Sequence, residues 1–210
     1  QEKLTYLTIF IYPPDEVILN IIALQNIIAN RLYMTEGLFD NNLFKPHITL
    51  CSALFYKSEA NILRKKILNE KLDQININLD NKVSNDRGLL FLHALSEENE
   101  LKKIHMRFIG LYAKHRKGVL RDKYSGDLSS FLPDEKESII KYGSPRYGKL
   151  YRPHVSVLQI EEEKVPEIQD VLDSWKVEDN FTLENVRLIE HSEEYFGNNS
   201  HSVIRVEDLV

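Results

Sequence analysis

Two heptapeptides, Phe44-Lys45-Pro46-His47-Ile48-Thr49-Leu50 and Tyr151-Arg152-Pro153-His154-Val155-Ser156-Val157, match in residue type at every position, and their histidines stand 107 residues apart. The shared order is aromatic, basic, proline, histidine, β-branched, hydroxyl, aliphatic. A single His-x-Ser/Thr carries little weight in a chain with 7 histidines, but here the two matches coincide with the only two Pro-His pairs. Alternation of this kind reads as a strand, in which residues i and i+2 share a face. Each copy therefore presents an imidazole beside a hydroxyl, while Ile48 or Val155 points to the opposite layer. Two such strands facing each other would gather His47, Thr49, His154 and Ser156 into one cluster.

The sequence between the copies is built of ordinary elements. Leu4–Tyr12 reads as a strand with Leu7, Ile9 and Ile11 on one face and Thr8, Phe10 and Tyr12 on the other. Pro13-Pro14-Asp15 ends it and starts a helix to about Leu32, and Ser58 opens a second helix. Strands are expected around Ile75–Leu79 and Leu89–Leu95, followed by a helix from Ser96 carrying Leu101, Ile104, Phe108 and Tyr112. Residues 113–150 hold four of the 8 glycines with only a short helical signal at Asp134–Lys141, and read as a long irregular insertion. Tyr151–Ile160, Phe181–Ile189 and Ser202–Val206 look like strands, and Pro166–Trp175 like a helix. No linker is visible, so residues 1–210 are expected to form a single domain.

Composition narrows the setting and leaves the chemistry open. With 42% hydrophobic and 28% charged residues the chain can bury a substantial core, and no window approaches the roughly 18 consecutive apolar residues of a membrane span. Cys51 is the sole cysteine and cannot form an internal disulfide, which fits a reducing, cytoplasmic setting. The net charge of −5 argues against a protein that coats nucleic acid. There is no Gly-rich phosphate loop and no G-x-S-x-G elbow.

Two histidines suit a reaction that needs one base and one acid near neutral pH, and two hydroxyls can donate hydrogen bonds to the non-bridging oxygens of a phosphate. The duplicated His-x-Thr/Ser motif, set in this order of strands and helices, resembles the 2H phosphoesterase superfamily, which includes 2′-5′ RNA ligase-like proteins and cyclic nucleotide phosphodiesterases. The resemblance implies an α+β, bilobal fold: two pseudo-symmetric lobes, each a small antiparallel sheet backed by helices, with one motif apiece in a central cleft. It implies cleavage of 2′,3′-cyclic phosphates, 2′-5′ linkages or related RNA ends, with no cofactor and no metal. His47 and His154 would be base and acid, and Thr49 and Ser156 would hold the phosphate. The second motif carries Ser where Thr is commoner, which keeps the donor. The insertion is longer than compact members carry.

Other residues admit two readings. Strand alternation sends Lys45 and Cys51, and Arg152 and Leu158, to the same face as the motif histidines; Lys45 and Arg152 would steady phosphate charge or cover the rim, and Cys51 would pack at the cleft floor. Phe10 and Tyr12 would stack on a base or pack against the other lobe. Arg146, Tyr147, Lys149 and Tyr151 form a basic, aromatic stretch suited to a nucleotide or RNA strand, and Lys114–Lys123 adds a second basic cluster that a solvated face would also explain. The glycines of the insertion suggest a mobile lid. His93, His105, His115, His191 and His201 are expected to be structural or surface residues, and nothing at metal-ligand spacing supports a zinc site. The expected partner is a nucleotide or RNA end, bound by a monomer with no membrane association. An alternative is a module that binds such an end in the same cleft without turnover.

Overall fold

Seven of the eight residues of β1 (Leu4–Ile11) are buried, so this strand is covered on both faces and cannot lie at an edge. It leads through Pro13-Pro14 into α1 (Asp15–Arg31), whose first-turn Asp15 and Glu16 complement the helix dipole. Then follow β2 (Ile48–Tyr56), α2 (Lys57–Leu68), β3 (Asn76–Leu79), β4 (Ser84–Asp86), β5 (Leu89–Ser96) and α3 (Glu100–His115). The chain continues through α4 (Pro133–Tyr142), β6 (His154–Gln159), α5 (Gln169–Ser174), β7 (Asp179–Thr182), β8 (Val186–His191) and β9 (Val203–Asp208). The structure, a computed structural model, describes residues 2–35, 43–176, 179–193 and 202–210.

The strands form one open, antiparallel nine-stranded sheet in the order β7-β3-β5-β6-β2-β1-β8-β9, with β4 hung on β5. The α+β class and the antiparallel pairing are as expected, and the strands expected in two small sheets are linked into one. The motif strands β2 and β6 lie side by side at the centre, joined by the single pair Ile48↔Val155. Phe181–Ile189 is likewise two strands and not one, since β7 pairs with β3 and β8 with β1 on the far side of the centre.

One face of the sheet carries the main core. Leu7, Ile9 and Ile11 pack there with Ile21, Leu24 and Ile28 of α1, Leu63 and Ile67 of α2 and Phe108 of α3. Each fully buried side chain of this kind is worth roughly 1.5–3 kcal/mol. A smaller cluster of Phe10, Tyr12, Ile18 and Ile189 lies apart from it. Among the described residues no helix is long and apolar enough to cross a membrane.

Each motif strand carries a bulge at the same place. Opposite the adjacent residues Ile9 and Phe10 stand Cys51 and Thr49, so Leu50 is the extra residue of β2; opposite Leu90 and Phe91 stand Leu158 and Ser156, so Val157 is the extra residue of β6. A bulge shifts the side-chain phase by one. Cys51 and Leu158, expected in the cleft, therefore turn into the core, where both are buried. The bulge carbonyls are met by buried polar side chains from the helices: His105 Nδ1 donates to Leu50 O at 2.6 Å, and Gln25 Nε2 donates to Val157 O at 3.1 Å. An unmet buried carbonyl would cost about 1–3 kcal/mol, which accounts for two polar groups in an apolar core.

Residues 113–150 are ordered around a buried arginine and two tyrosines. Arg116 donates to the carbonyls of Val119 and Ile140, tying the end of α3 to α4. Because β2 and β6 pair only once, the edge of β2 beyond Thr49 needs other partners. Tyr151 Oη donates to Thr49 O at 2.9 Å, and Ser52 O accepts from both Tyr147 Oη (3.3 Å) and Arg121 Nη2 (2.8 Å). Tyr147 and Tyr151 are buried around His105, with the Tyr151 ring stacked on it at 3.7 Å. The expected irregular insertion is thus a docked cap with its own helix, and its contacts argue against a freely swinging lid.

Candidate active site

Ile48 and Val155 are fully buried, whereas His47, Thr49, His154 and Ser156 are half-buried on the other face. Carrying the antiparallel register one residue either way from Ile48↔Val155 sets His47 across from Ser156 and Thr49 across from His154. The duplicated sequence thereby becomes a local two-fold arrangement with an imidazole and a hydroxyl on each side. Neither motif hydroxyl has a hydrogen-bond partner among the described residues.

The two imidazoles are held in the same way. His47 Nδ1 lies 2.7 Å from the Lys45 carbonyl, and His154 Nδ1 lies 2.9 Å from the Arg152 carbonyl. A carbonyl only accepts, so Nδ1 carries the proton in both rings and each neutral imidazole keeps a bare Nε2. Burial pushes His47 down to about 4, with His154 lowering it further and the Lys45 carbonyl opposing the shift. Burial also lowers His154; the Arg152 carbonyl opposes this, while His93 and Arg146 add to it.

Aromatic rings set the walls. Phe10 stacks on His47 with centroids 3.7 Å apart, while Phe44 (5.3 Å) and Tyr12 (6.4 Å) approach it at an angle. Both Phe10 and Tyr12 are buried, so they support the His47 ring, and Tyr12 Oη donates to the Leu43 carbonyl at 2.5 Å. In the other half Phe91 meets His154 edge-on at 5.3 Å. Phe91 pairs with Ser156 as Phe10 pairs with Thr49.

His93, expected as a structural or surface residue, lies directly opposite His154 in the ladder. The signal was available: in β5 Phe91 and His93 alternate with the buried Leu90 and Leu92, just as Phe10 and Tyr12 alternate with Ile9 and Ile11 along β1 and one residue past its end.

The remaining expected residues divide. Lys45 Nζ lies 5.3 Å over the Tyr12 ring and 3.6 Å from Asp15, at the rim beside His47. Arg152 is exposed. Arg146 pairs with Asp86 at 3.0 Å and is near enough to His154 to lower it. Lys149 is turned away onto Asp134 at 3.1 Å, and Tyr147 and Tyr151 are taken up by the core. The basic stretch seen in sequence is therefore not one surface: its tyrosines fill the seam beside β2 and only its cations reach water. In the second basic cluster Arg116 is buried and Arg121 is bound to Ser52 O. Among the described residues no group of three His, Cys, Asp or Glu is arranged to hold a metal ion.

No protein-family model and no curated protein sequence matches the chain. Solved structures do. The chain is similar to E. coli LigT complexed with NADP+ (TM-score 0.55, 11% identity, covering 99% of this chain and 96% of that one). It is similar to E. coli LigT complexed with 3′-AMP (TM-score 0.55, 12% identity, 99% and 96% covered). It is also similar to a protein solved as a phosphoesterase (TM-score 0.53, 11% identity, 100% and 99% covered). At these identities the likeness is one of fold, and it covers nearly the whole chain.

Proposed function

We propose that the chain is a 2H phosphodiesterase acting on 2′,3′-cyclic phosphates, 2′-5′ linkages or related oligonucleotide ends by two-histidine acid–base catalysis. The observation that carries this reading is the pair of imidazoles, each fixed through Nδ1 to the carbonyl two residues back, with a bare Nε2 beside a hydroxyl. Nothing in the packing of the sheet requires two such half-buried histidines. The structures of E. coli LigT with NADP+, 3′-AMP and ATP support a nucleotide as the ligand class.

The cycle follows from these groups. A phosphate seated between Thr49 and Ser156 accepts hydrogen bonds from both hydroxyls on its non-bridging oxygens, and these strengthen as charge builds there. His47, the more strongly held in its neutral form, takes a proton from water through Nε2 as the water oxygen bonds to phosphorus. His154, protonated at Nε2, gives that proton to the ribose oxygen as its bond to phosphorus breaks. The anionic phosphate offsets the burial that lowers His154, so substrate binding itself favours the acid form. Lys45 and Arg152 flank the two ends, and Arg146 reaches the His154 side.

The test is turnover of 2′,3′-cyclic nucleotides, 2′-5′ dinucleotides and cyclic dinucleotides in EDTA, by wild type and by the His47→Ala/His154→Ala double variant. Histidine-dependent, EDTA-resistant turnover of at least one substrate is expected. Binding of these nucleotides with no turnover would overturn the enzyme reading in favour of a binding module.

A further inference from the structure

Three rungs of β1 side chains stand on the cleft face, and only one meets a hydroxyl that the motif does not supply. The bulge at Leu50 turns Ser52 to the same face as Thr49, opposite Thr8 and one rung, about 7 Å, beyond the Phe10/Thr49 pair. Thr8 and Ser52 hydroxyls are 2.6 Å apart, and Thr8 Oγ1 is 2.8 Å from His191 Nε2. His191 Nδ1 is hydrogen-bonded in turn to the Glu193 carbonyl, and the Tyr6 ring stacks on the imidazole at 5.1 Å.

The direction of this chain is fixed from its far end. The Glu193 carbonyl only accepts, so His191 Nδ1 carries the proton. Burial, with Arg121 adding to it, keeps the imidazole neutral, so Nε2 is bare and accepts from Thr8. Thr8 has then used its proton, and its oxygen accepts from Ser52. Ser52 has used its proton as well. What Ser52 offers outward is lone pairs alone, in contrast to Thr49 and Ser156, whose protons are available for a phosphate. Thr8 and His191 are buried, whereas Ser52 is half-buried.

We infer that Ser52 is a specificity residue: an acceptor-only hydroxyl that takes a hydrogen bond from the free ribose hydroxyl beside the phosphate-bearing carbon of a 2′-5′ linkage or of the monoester left when a cyclic phosphate is opened. The inference rests on the reading of the cleft as a phosphate site. The non-bridging oxygens of a phosphodiester have no proton to give and are not recognised by Ser52; a sugar hydroxyl next to them is. The other half has no counterpart. Its corresponding residue, three beyond Ser156, is Gln159, whose amide is bound to the carbonyls of Arg87 and Ile160. The sugar is therefore read at one end of the cleft, the end at which Thr49 faces His154. Thr8 acts through Ser52 and is a positioning residue.

The experiment is equilibrium binding of inorganic phosphate, uridine 3′-monophosphate and its 2′-deoxy analogue to wild type, Ser52→Ala, Thr8→Val and Thr8→Ser. Wild type is expected to prefer the ribonucleotide by about 3–10-fold, the range of one neutral hydrogen bond. Ser52→Ala and Thr8→Val are expected to shrink that preference to below about 2-fold, with phosphate affinity unchanged, and Thr8→Ser, which keeps the hydroxyl, to retain it. Phosphate binding with no ribose preference in wild type, or a preference that survives Ser52→Ala, overturns the inference and leaves the phosphate site standing. Failure of all three probes to bind wild type overturns the phosphate site itself.

Discussion

The two halves of the candidate site share a backbone and differ in their walls. Both histidines bind the carbonyl two residues back, both hydroxyls precede a bulge, and each bulge carbonyl is met by a buried helix side chain. Around His47, however, stand Phe10, Tyr12 and Phe44, whereas around His154 stand Phe91, His93 and the cation of Arg146. A strand position that holds Tyr12 in one half holds His93 in the other. Duplicated motifs thus supply like groups, and the neighbouring strand makes them unlike. The proposed cleavage would use that difference, because in it one group takes a proton while the other gives one.

The largest effects should come from the imidazoles. His47→Ala and His154→Ala are each expected to lower kcat by roughly 10²–10⁴-fold. The pH profile separates their roles. With His47 active when neutral and His154 when protonated, kcat/KM should rise as pH climbs through about 4 and fall again below 6.5, the ordinary histidine value from which His154 is lowered. His154→Ala should remove the alkaline limb and leave the acid one. If instead His47→Ala removes the alkaline limb, the base and acid are exchanged.

The stacked rings come next. Phe10 is buried against His47, so Phe10→Ala should cost about 3–5 kcal/mol of stability. By admitting water it should also raise His47 from about 4 toward its ordinary value, moving the acid limb of kcat/KM upward. Phe91 is only half-buried, and Phe91→Ala should cost less than about 2 kcal/mol. Chemical denaturation of the two variants checks the ranking. Equal costs would mean that the contrast between the walls is not energetic.

Much of this asymmetry was open to reading in sequence, and some of it was not. The paired heptads located both motif strands, and alternation along Leu4–Tyr12 placed Phe10 and Tyr12 on the face of His47. The same alternation failed at Cys51 and Leu158, because a bulge changes side-chain phase without changing composition. Ser52 became a cleft residue by the same shift. Tyr147 and Tyr151 are buried for another reason. Their hydroxyls answer carbonyls of β2 left bare where the motif strands splay apart, and the splay is a property of sheet geometry that no local pattern encodes. His93 is different again: its strand and its face were legible, and only its partner across the ladder was missing.

The buried polar pair tests the likeness of the halves from beneath. Gln25→Leu leaves Val157 O unmet, and His105→Leu leaves Leu50 O unmet, so each should destabilise by about 1–3 kcal/mol. Their acid behaviour should part company. Burial holds His105 and His191 at about 4 in the folded chain, with the Leu50 and Glu193 carbonyls opposing it. Below pH 6.5 the unfolded chain binds protons that the folded chain refuses, so stability is full above 6.5 and declines as pH falls toward 4. The loss is roughly 3 kcal/mol for each of these two sites. Thermal melts between pH 7 and 4 should therefore fall steeply for wild type and Gln25→Leu, and less steeply for His105→Leu. Parallel slopes for all three would show that His105 is not the proton-refusing group.

The smallest effect belongs to Arg146, whose guanidinium is exposed and paired with Asp86. It disfavours the charged form of His154 from a distance at which water and salt screen it. Arg146→Gln should raise the His154 titration slightly, read by NMR of the imidazole, and should leave His47 unmoved. The sign matters more than the size. A cation that merely attracted a phosphate would lose affinity when removed and change no titration in the free protein. A cation that also tunes the acid must shift the alkaline limb of kcat/KM upward even as binding weakens. Arg146 lies on the His154 side, so a matching shift at His47 would mean that the two halves share one electrostatic environment and that their unlike walls do not insulate one imidazole from the other.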